Sequence, residues 1–219
     1  MAKSNAIDIP PIAVRHLEIE IIGTKPLITH AWSDEAKGAM RDKQTKAPKK
    51  TLKAKDKQAL FEASRYYFND DSEGFPAGAF KKAAVRAGKL LNISMTDLRQ
   101  CFFVIGEYGK TAGEMGSPVE LVRIQGKSEL REDLVRLNGA TADLRYRAEY
   151  KKWKVLLEVE YVENFISEEQ VVQLFAYAGK TVGVGEWRPE RDGICGTWQV
   201  GKAKPIDKSE PAEKPAKRK

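Results

Sequence analysis

Few residues in this chain are equipped for acid–base work. Its two histidines are His16 and His30. Of these, only His30, four residues before Asp34 and close to a lysine-rich stretch, stands where a proton could be moved on a polyanionic substrate. His16 falls on the polar side of an alternating segment, the ordinary place for an exposed histidine. No paired carboxylates of the D-x-D or E-x-x-H kind occur, which disfavours a two-metal nuclease. The two cysteines, Cys101 and Cys195, lie far apart in apolar surroundings and argue against a disulfide framework or a Cys/His zinc site. No cofactor or metal is expected.

The second chemical feature is the glycine-punctuated stretch KTVGVGEWRPERDGICGTWQV, residues 180–200. Gly183 and Gly185 could let backbone N–H groups approach a phosphate, or could serve a sharp turn alone. The segment lacks the G-x-x-x-x-G-K-[ST] of a nucleotide-binding loop, so ATP hydrolysis is not supported. Arg188 and Arg191 suit phosphate contact, and Trp187 could stack on a base or pack on a sheet. Arg145, Tyr146 and Arg147 form a second basic and aromatic cluster, which fits unpaired nucleotides or simply an exposed hairpin.

The 219 residues carry a net charge of +7 that is segregated rather than spread. Residues 37–57 hold nine basic residues, among them Lys43, Lys46, Lys49, Lys50, Lys53 and Lys55, against Asp42 and Asp56. The stretch 202–219 adds a further +4, so the remainder carries −4. The lysine spacing follows no single helical face, and a mobile basic loop for phosphate-backbone contact is the expectation. The three-proline tail has one large apolar residue, Ile206, and is expected to be disordered. The start, MAKSNAIDIPP, lacks the apolar run of a secretory signal, and no stretch suits a membrane span; a soluble cytoplasmic protein is expected.

The elements that must position these residues follow from periodicity. RHLEIEII, Arg15 to Ile22, alternates as a half-buried strand, and a helix is expected from Gln58 to Phe68 after the basic insertion. Pro76 to Leu91 reads as a helix burying Phe80, Ala83, Ala84, Ala87 and Leu91, with Lys81, Lys82, Arg86 and Lys89 on its other face. Strands are expected at 101–105, 119–124 and 133–137, with a hairpin across Asn138-Gly139, and WKVLLEVEYV, 153–162, alternates most clearly. Ser167 and Gln170 form a capping-box pattern opening a helix that Gly179 should stop, before a last strand at Thr197 to Val200. That order predicts an α+β domain with a ferredoxin-like or RRM-like antiparallel sheet backed by two helices. It divides into an extension over 1–14, a domain over 15–201 with a basic insertion at about 33–73 after the first strand, and a disordered basic tail over 202–219.

FPAGAFKKAAVRAG, Phe75 to Gly88, is similar to the segment that opens the first helix of RAMP-superfamily proteins, the CRISPR effector backbone and processing subunits. Gly183-Val184-Gly185, followed by Gly193 to Gly196, resembles that superfamily's glycine-rich loop, and both segments fall in the family's order. The loop TKPLITHAWSDEA resembles the place where type III backbone subunits carry a cleaving Asp, with Asp34 its counterpart; His30, Ala31 and Trp32 stand where the family has glycines. The chain, with its runs ATADLRYR and VGVGEWRPE, also resembles proteins of bacteriophage genomes.

The resemblance implies an RRM-like core that binds single-stranded nucleic acid, often stacked head to tail into an oligomer or filament. With the charge pattern, it makes a non-enzymatic binder of single-stranded RNA or DNA the expected function. The expected groove is bordered by the basic insertion, the helix over 76–91 with Lys81, Lys82 and Arg86, and the glycine loop with Gly183, Gly185, Trp187, Arg188 and Arg191, while Arg145 and Arg147 are further candidate contacts. A ribonuclease using Asp34 or His30 and a phage protein-interaction or structural protein are the alternatives.

Overall fold

The computed structural model describes residues 12–31, 38, 40–42, 44, 45, 56–111, 118–137 and 141–207. The first strand, β1 (Val14–Gly23), buries Leu17, Ile19 and Ile21 as its alternation requires. Short β2 (Leu27–Thr29) follows, then α1 (Lys57–Ala63), β3 (Tyr66–Tyr67), β4 (Glu73–Pro76) and α2 (Ala77–Ala87). After these come α3 (Met95–Cys101), β5 (Phe102–Ile105), β6 (Glu107–Thr111), the long β7 (Pro118–Leu137) and β8 (Thr141–Val162), α4 (Glu168–Thr181) and β9 (Trp198–Ile206).

The register shows how the core closes. Residues Glu158 to Tyr161 of β8 pair with β5 on one edge and with β1 on the other, and β1 pairs with β9 beyond. The four core strands thus lie in the order β5-β8-β1-β9, all antiparallel, with α2 between β1 and β5 in sequence and α4 between β8 and β9. This is the ferredoxin-like arrangement expected from the element order. Both helices pack on one face, where Phe80 of α2 meets Trp198 edge-on at 5.6 Å between ring centroids and Phe102 meets Phe175 of α4 at 6.2 Å. Those aromatics and the inward residues Val155, Leu157 and Val159 are almost wholly buried, each contributing about 1.5–3 kcal/mol of transfer free energy.

Several boundaries differ from expectation. The helix expected over 58–68 ends at Ala63 because Ser64 is captured from outside: its hydroxyl accepts from the Ala148 N–H at 2.8 Å and its carbonyl from the Ala31 N–H at 3.0 Å. Tyr66 and Tyr67 then pair with β4 and β6. The strand expected from Cys101 starts one residue later, since Cys101 ends α3, a helix capped by the Ser94 hydroxyl. The separate strands at 119–124 and 133–137 are one strand of 20 residues, which pairs with β8 from Ile124↔Val155 out to Leu137↔Thr141 and forms a hairpin arm beyond the core.

The capping box at Ser167 forms, with Gln170 reaching back to the Ser167 N–H, but Gly179 lies inside the helix. A Cβ there would stand 2.4 Å from the Trp198 carbonyl oxygen, so this glycine permits close helix–sheet approach rather than a stop. The tail expected to be disordered from 202 is ordered through Ile206, because β9 gains backbone pairing with β1 where side-chain burial is lacking.

Candidate nucleic-acid interface

The segments 75–88 and 183–196, far apart in the chain, are brought together by the two core helices. The start of α2 supplies Phe75, Pro76, Ala79, Lys82 and Arg86, and the turn after α4 supplies Val182 to Glu186, Arg188 and Glu190, around a cleft of about 360 Å³. His30 and Tyr66 line it as well. A neighbouring hollow of about 620 Å³ lies against Glu186, Trp187, Arg188, Arg191, Asp192 and Gly193.

Local geometry explains the glycines. Gly183 and Gly185 have φ of +71° and +76°, and a Cβ on Gly185 would approach the Ile28 carbonyl oxygen to 2.5 Å. The N–H groups of Gly183, Val184 and Glu186 donate to the carbonyls of Ala178, Gly196 and Ile28 at 2.9–3.0 Å. These backbone donors hold the loop in shape, so side chains carry the surface that a ligand would meet.

The cations are held close together. Arg86 pairs with Glu190, and Arg188 donates to Glu190 at 3.0 Å and to the Gly185 carbonyl at 2.9 Å. Burial lowers the pKa of the Arg188 guanidinium, and the charges of Arg191 and Arg86 lower it further. Lys82 is exposed at the rim. On the opposite wall His30 Nδ1 lies 3.4 Å from Glu186 Oε1. Hydrogen bonding from His30, with the charges of Arg147 and Arg188, holds the Glu186 carboxyl below the ordinary carboxylate range against the opposing effect of burial.

Lys82, Arg86, Gly183, Gly185 and Arg188 therefore line one cleft, with Trp187 and Arg191 in the adjoining hollow. Lys81 turns away, donating to the Arg99 carbonyl at 2.9 Å with its ammonium 3.8 Å from the Phe103 ring centroid. Arg145 lies on the arm, 3.8 Å from Asp143. Arg147 corrects the expectation of a surface contact: it is 3% exposed and pairs at 3.4 Å with Asp133, itself 7% exposed, because this stretch is covered on both sides, Tyr146 and Ala148 being buried as well. Lys43, Lys46, Lys49, Lys50, Lys53, Lys55 and Asp34 lie outside the described residues. Among the described residues no group of three or more His, Cys, Asp or Glu could hold a metal, and no helix is long and apolar enough to cross a membrane.

Sequence reasoning missed the carboxylates Glu186 and Glu190 that organise the cleft. It also passed over the helix-free face of the sheet. There Glu18 stands directly opposite Glu158 and His16 opposite Glu160, with Glu20 one step along β1. His16 lies 3.1 Å from Glu158, and Lys204 of β9 lies 2.8 Å from Glu18. Phe103, Ile105 and Leu156 are exposed beside them. The signal was present in the polar positions of RHLEIEII.

No protein-family model matches this chain, and no curated protein matches it in sequence. Among solved structures it is similar to a chain of the Type III-B Cmr-beta complex bound to cognate target RNA, at 10% identity and a TM-score of 0.47. That similarity covers 88% of this chain and 61% of the other, so this chain spans less than two thirds of its neighbour's length.

Proposed function

We propose that this protein binds single-stranded nucleic acid, RNA or DNA, in the cleft between α2 and the glycine loop, without performing chemistry on it. The observation that carries this reading is the convergence of Lys82, Arg86 and Arg188 from two distant segments on one concave surface. A phosphodiester chain neutralises such a cluster and gains counterion release in doing so. The lysine-rich segment supports the reading, since His30, next to the last described residue before it, lines the cleft. Self-association along the strand, kinship with the RAMP superfamily, a bacteriophage source and action in the host cytoplasm belong to the same proposal.

The test is titration of the nuclease-treated protein into labelled, unstructured RNA, single-stranded DNA and duplex DNA of equal length at two salt concentrations. Tight, length-dependent, salt-sensitive binding to single strands is the expected result. Weak and equal binding to all three would turn the basic segments into protein-docking features. In the same assay, replacing Lys46, Lys49, Lys50, Lys53 and Lys55 together by Ala weakens binding at every sequence and lowers the salt slope.

One observation favours a second reading. The His30–Glu186 pair orients an imidazole within the cationic cleft, an arrangement able to move a proton at a bound strand. Strand cleavage that His30→Ala abolishes while binding persists would establish it.

A further inference from the structure

Trp187 is held in a backbone conformation that a bulky side chain rarely adopts, with φ of +55°, yet it leaves 44% of its surface exposed. A tryptophan that served only the core would be buried and relaxed. The loop secures this conformation on both sides: the Cys195 N–H donates to the Trp187 carbonyl at 2.8 Å, and the Arg188 carbonyl accepts from Arg191 and Gly193 at 2.8 and 3.1 Å. The Arg131 guanidinium lies 5.8 Å from the ring centroid and is itself fixed by Asp133 at 2.8 Å and Glu149 at 2.6 Å. The hollow of about 620 Å³ beside the ring is within the size range of small-ligand sites and could hold a nucleotide.

We infer that Trp187 is a stacking platform for one unpaired base, and that it makes the site selective for strands whose bases are free. The inference rests on the nucleic-acid reading of the cleft and supplies what charge cannot. Arg188 and Arg191 in the hollow face Glu186 and Asp192, so its balance of charge is near neutral and gives little preference between one polyanion and another. A flat aromatic face distinguishes strands by whether a base can leave its partner, and it does so without reading sequence. A phosphate contact from Arg188 or Arg191 then sets the register of the strand around that base.

The experiment compares wild type, Trp187→Phe, Trp187→Gly and a Lys82→Ala/Arg86→Ala double variant, binding a single-stranded oligonucleotide and an abasic strand of equal length. Thermal unfolding of each protein is recorded alongside. Wild type should prefer the base-bearing strand by about tenfold, the worth of one stacked base. Trp187→Gly should bind both strands at the abasic level and unfold no earlier than wild type, since glycine relieves the positive φ. Trp187→Phe should keep part of the preference, and the lysine–arginine variant should weaken binding to both strands while keeping the ratio.

An unchanged preference in Trp187→Gly overturns the platform and leaves the cleft reading intact, provided the charge variant still binds more weakly. A loss of affinity for both strands with an earlier unfolding transition makes Trp187 a structural residue and also overturns the inference. A wild-type protein that binds neither strand overturns the cleft reading itself.

Discussion

The two faces of the core sheet system carry opposite electrostatic characters on one small domain. The helix-free face presents Glu18, Glu20, Glu158 and Glu160, two of them directly opposite across β1 and β8. The cleft on the helix side gathers Lys82, Arg86 and Arg188 against Glu186 and Glu190. Like charges opposed across strands are unfavourable, and the cations paired with these carboxylates are Lys204 at Glu18 and Lys154 at Glu20. The open face of a ferredoxin-like sheet is the surface a flat binding mode would use, but here a polyanion meets carboxylates on it. The fold thus offers two surfaces, and charge distinguishes them.

Displacing the cleft wall should have the largest effect. Gly185→Ala places a Cβ 2.5 Å from the Ile28 carbonyl oxygen at a φ of +76°. Strain and displacement of this kind cost about 2–4 kcal/mol, and chemical denaturation should show it with affinity for single strands falling in parallel. Removing charge by Lys82→Gln with Arg86→Gln should leave the fold nearly intact, since Lys82 is exposed, Arg86 is half-exposed and an amide can still bond Glu190. Affinity should fall by about a hundredfold at low salt, and the salt slope should drop by about two. A variant with undiminished affinity would move the strand off this cleft.

The opposite face provides the smaller contrast. Glu18→Gln with Glu158→Gln removes an opposed carboxylate pair but also the partners of Lys204 and His16. Single-strand affinity should change by less than about twofold, because screening limits charges that distant from the strand. A rise of tenfold or more would place the strand across the sheet face instead.

How much of this was legible in the sequence depended on whether the signal was local. The alternation of β1 and of 153–162, the stripe of Phe80, Ala83, Ala84 and Ala87, and the Ser167 capping box are all set by neighbours in the chain, and each is found where the pattern puts it. Ser64 ends α1 through bonds to Ala31 and Ala148, and β9 runs on to Ile206 through pairing with β1; no local pattern encodes either. The site divides in the same way. Lys82, Arg86 and Arg188 could be named by type, but the burial of Arg147 with Asp133 depends on what packs over both sides of the arm at that point. Glu186 and Glu190 were invisible because a carboxylate organising cations reads, in sequence, like any other charged loop residue.

The smallest effect is expected from a carboxylate inside the cleft. Glu186 is a negative charge on a wall proposed to bind phosphates, held ionised by the His30 hydrogen bond and by Arg147 and Arg188. Its carboxyl lies below its ordinary value of 4.5, so the stability it contributes is complete above that value and is lost as pH falls through the lower folded value. The pair is partly exposed, which limits this to about 0.5 kcal/mol. Binding should respond with the opposite sign, because protonating Glu186 removes repulsion toward the strand. Affinity measured at constant salt should therefore rise on acidification toward the folded value, and Glu186→Gln should bind about two- to threefold more tightly at neutral pH with a smaller acid gain. Other carboxylates titrate over the same range, so the difference between wild type and variant is the informative quantity. Identical pH profiles would mean that the strand passes the cleft without approaching Glu186, and would shift its path toward Trp187 and Arg191.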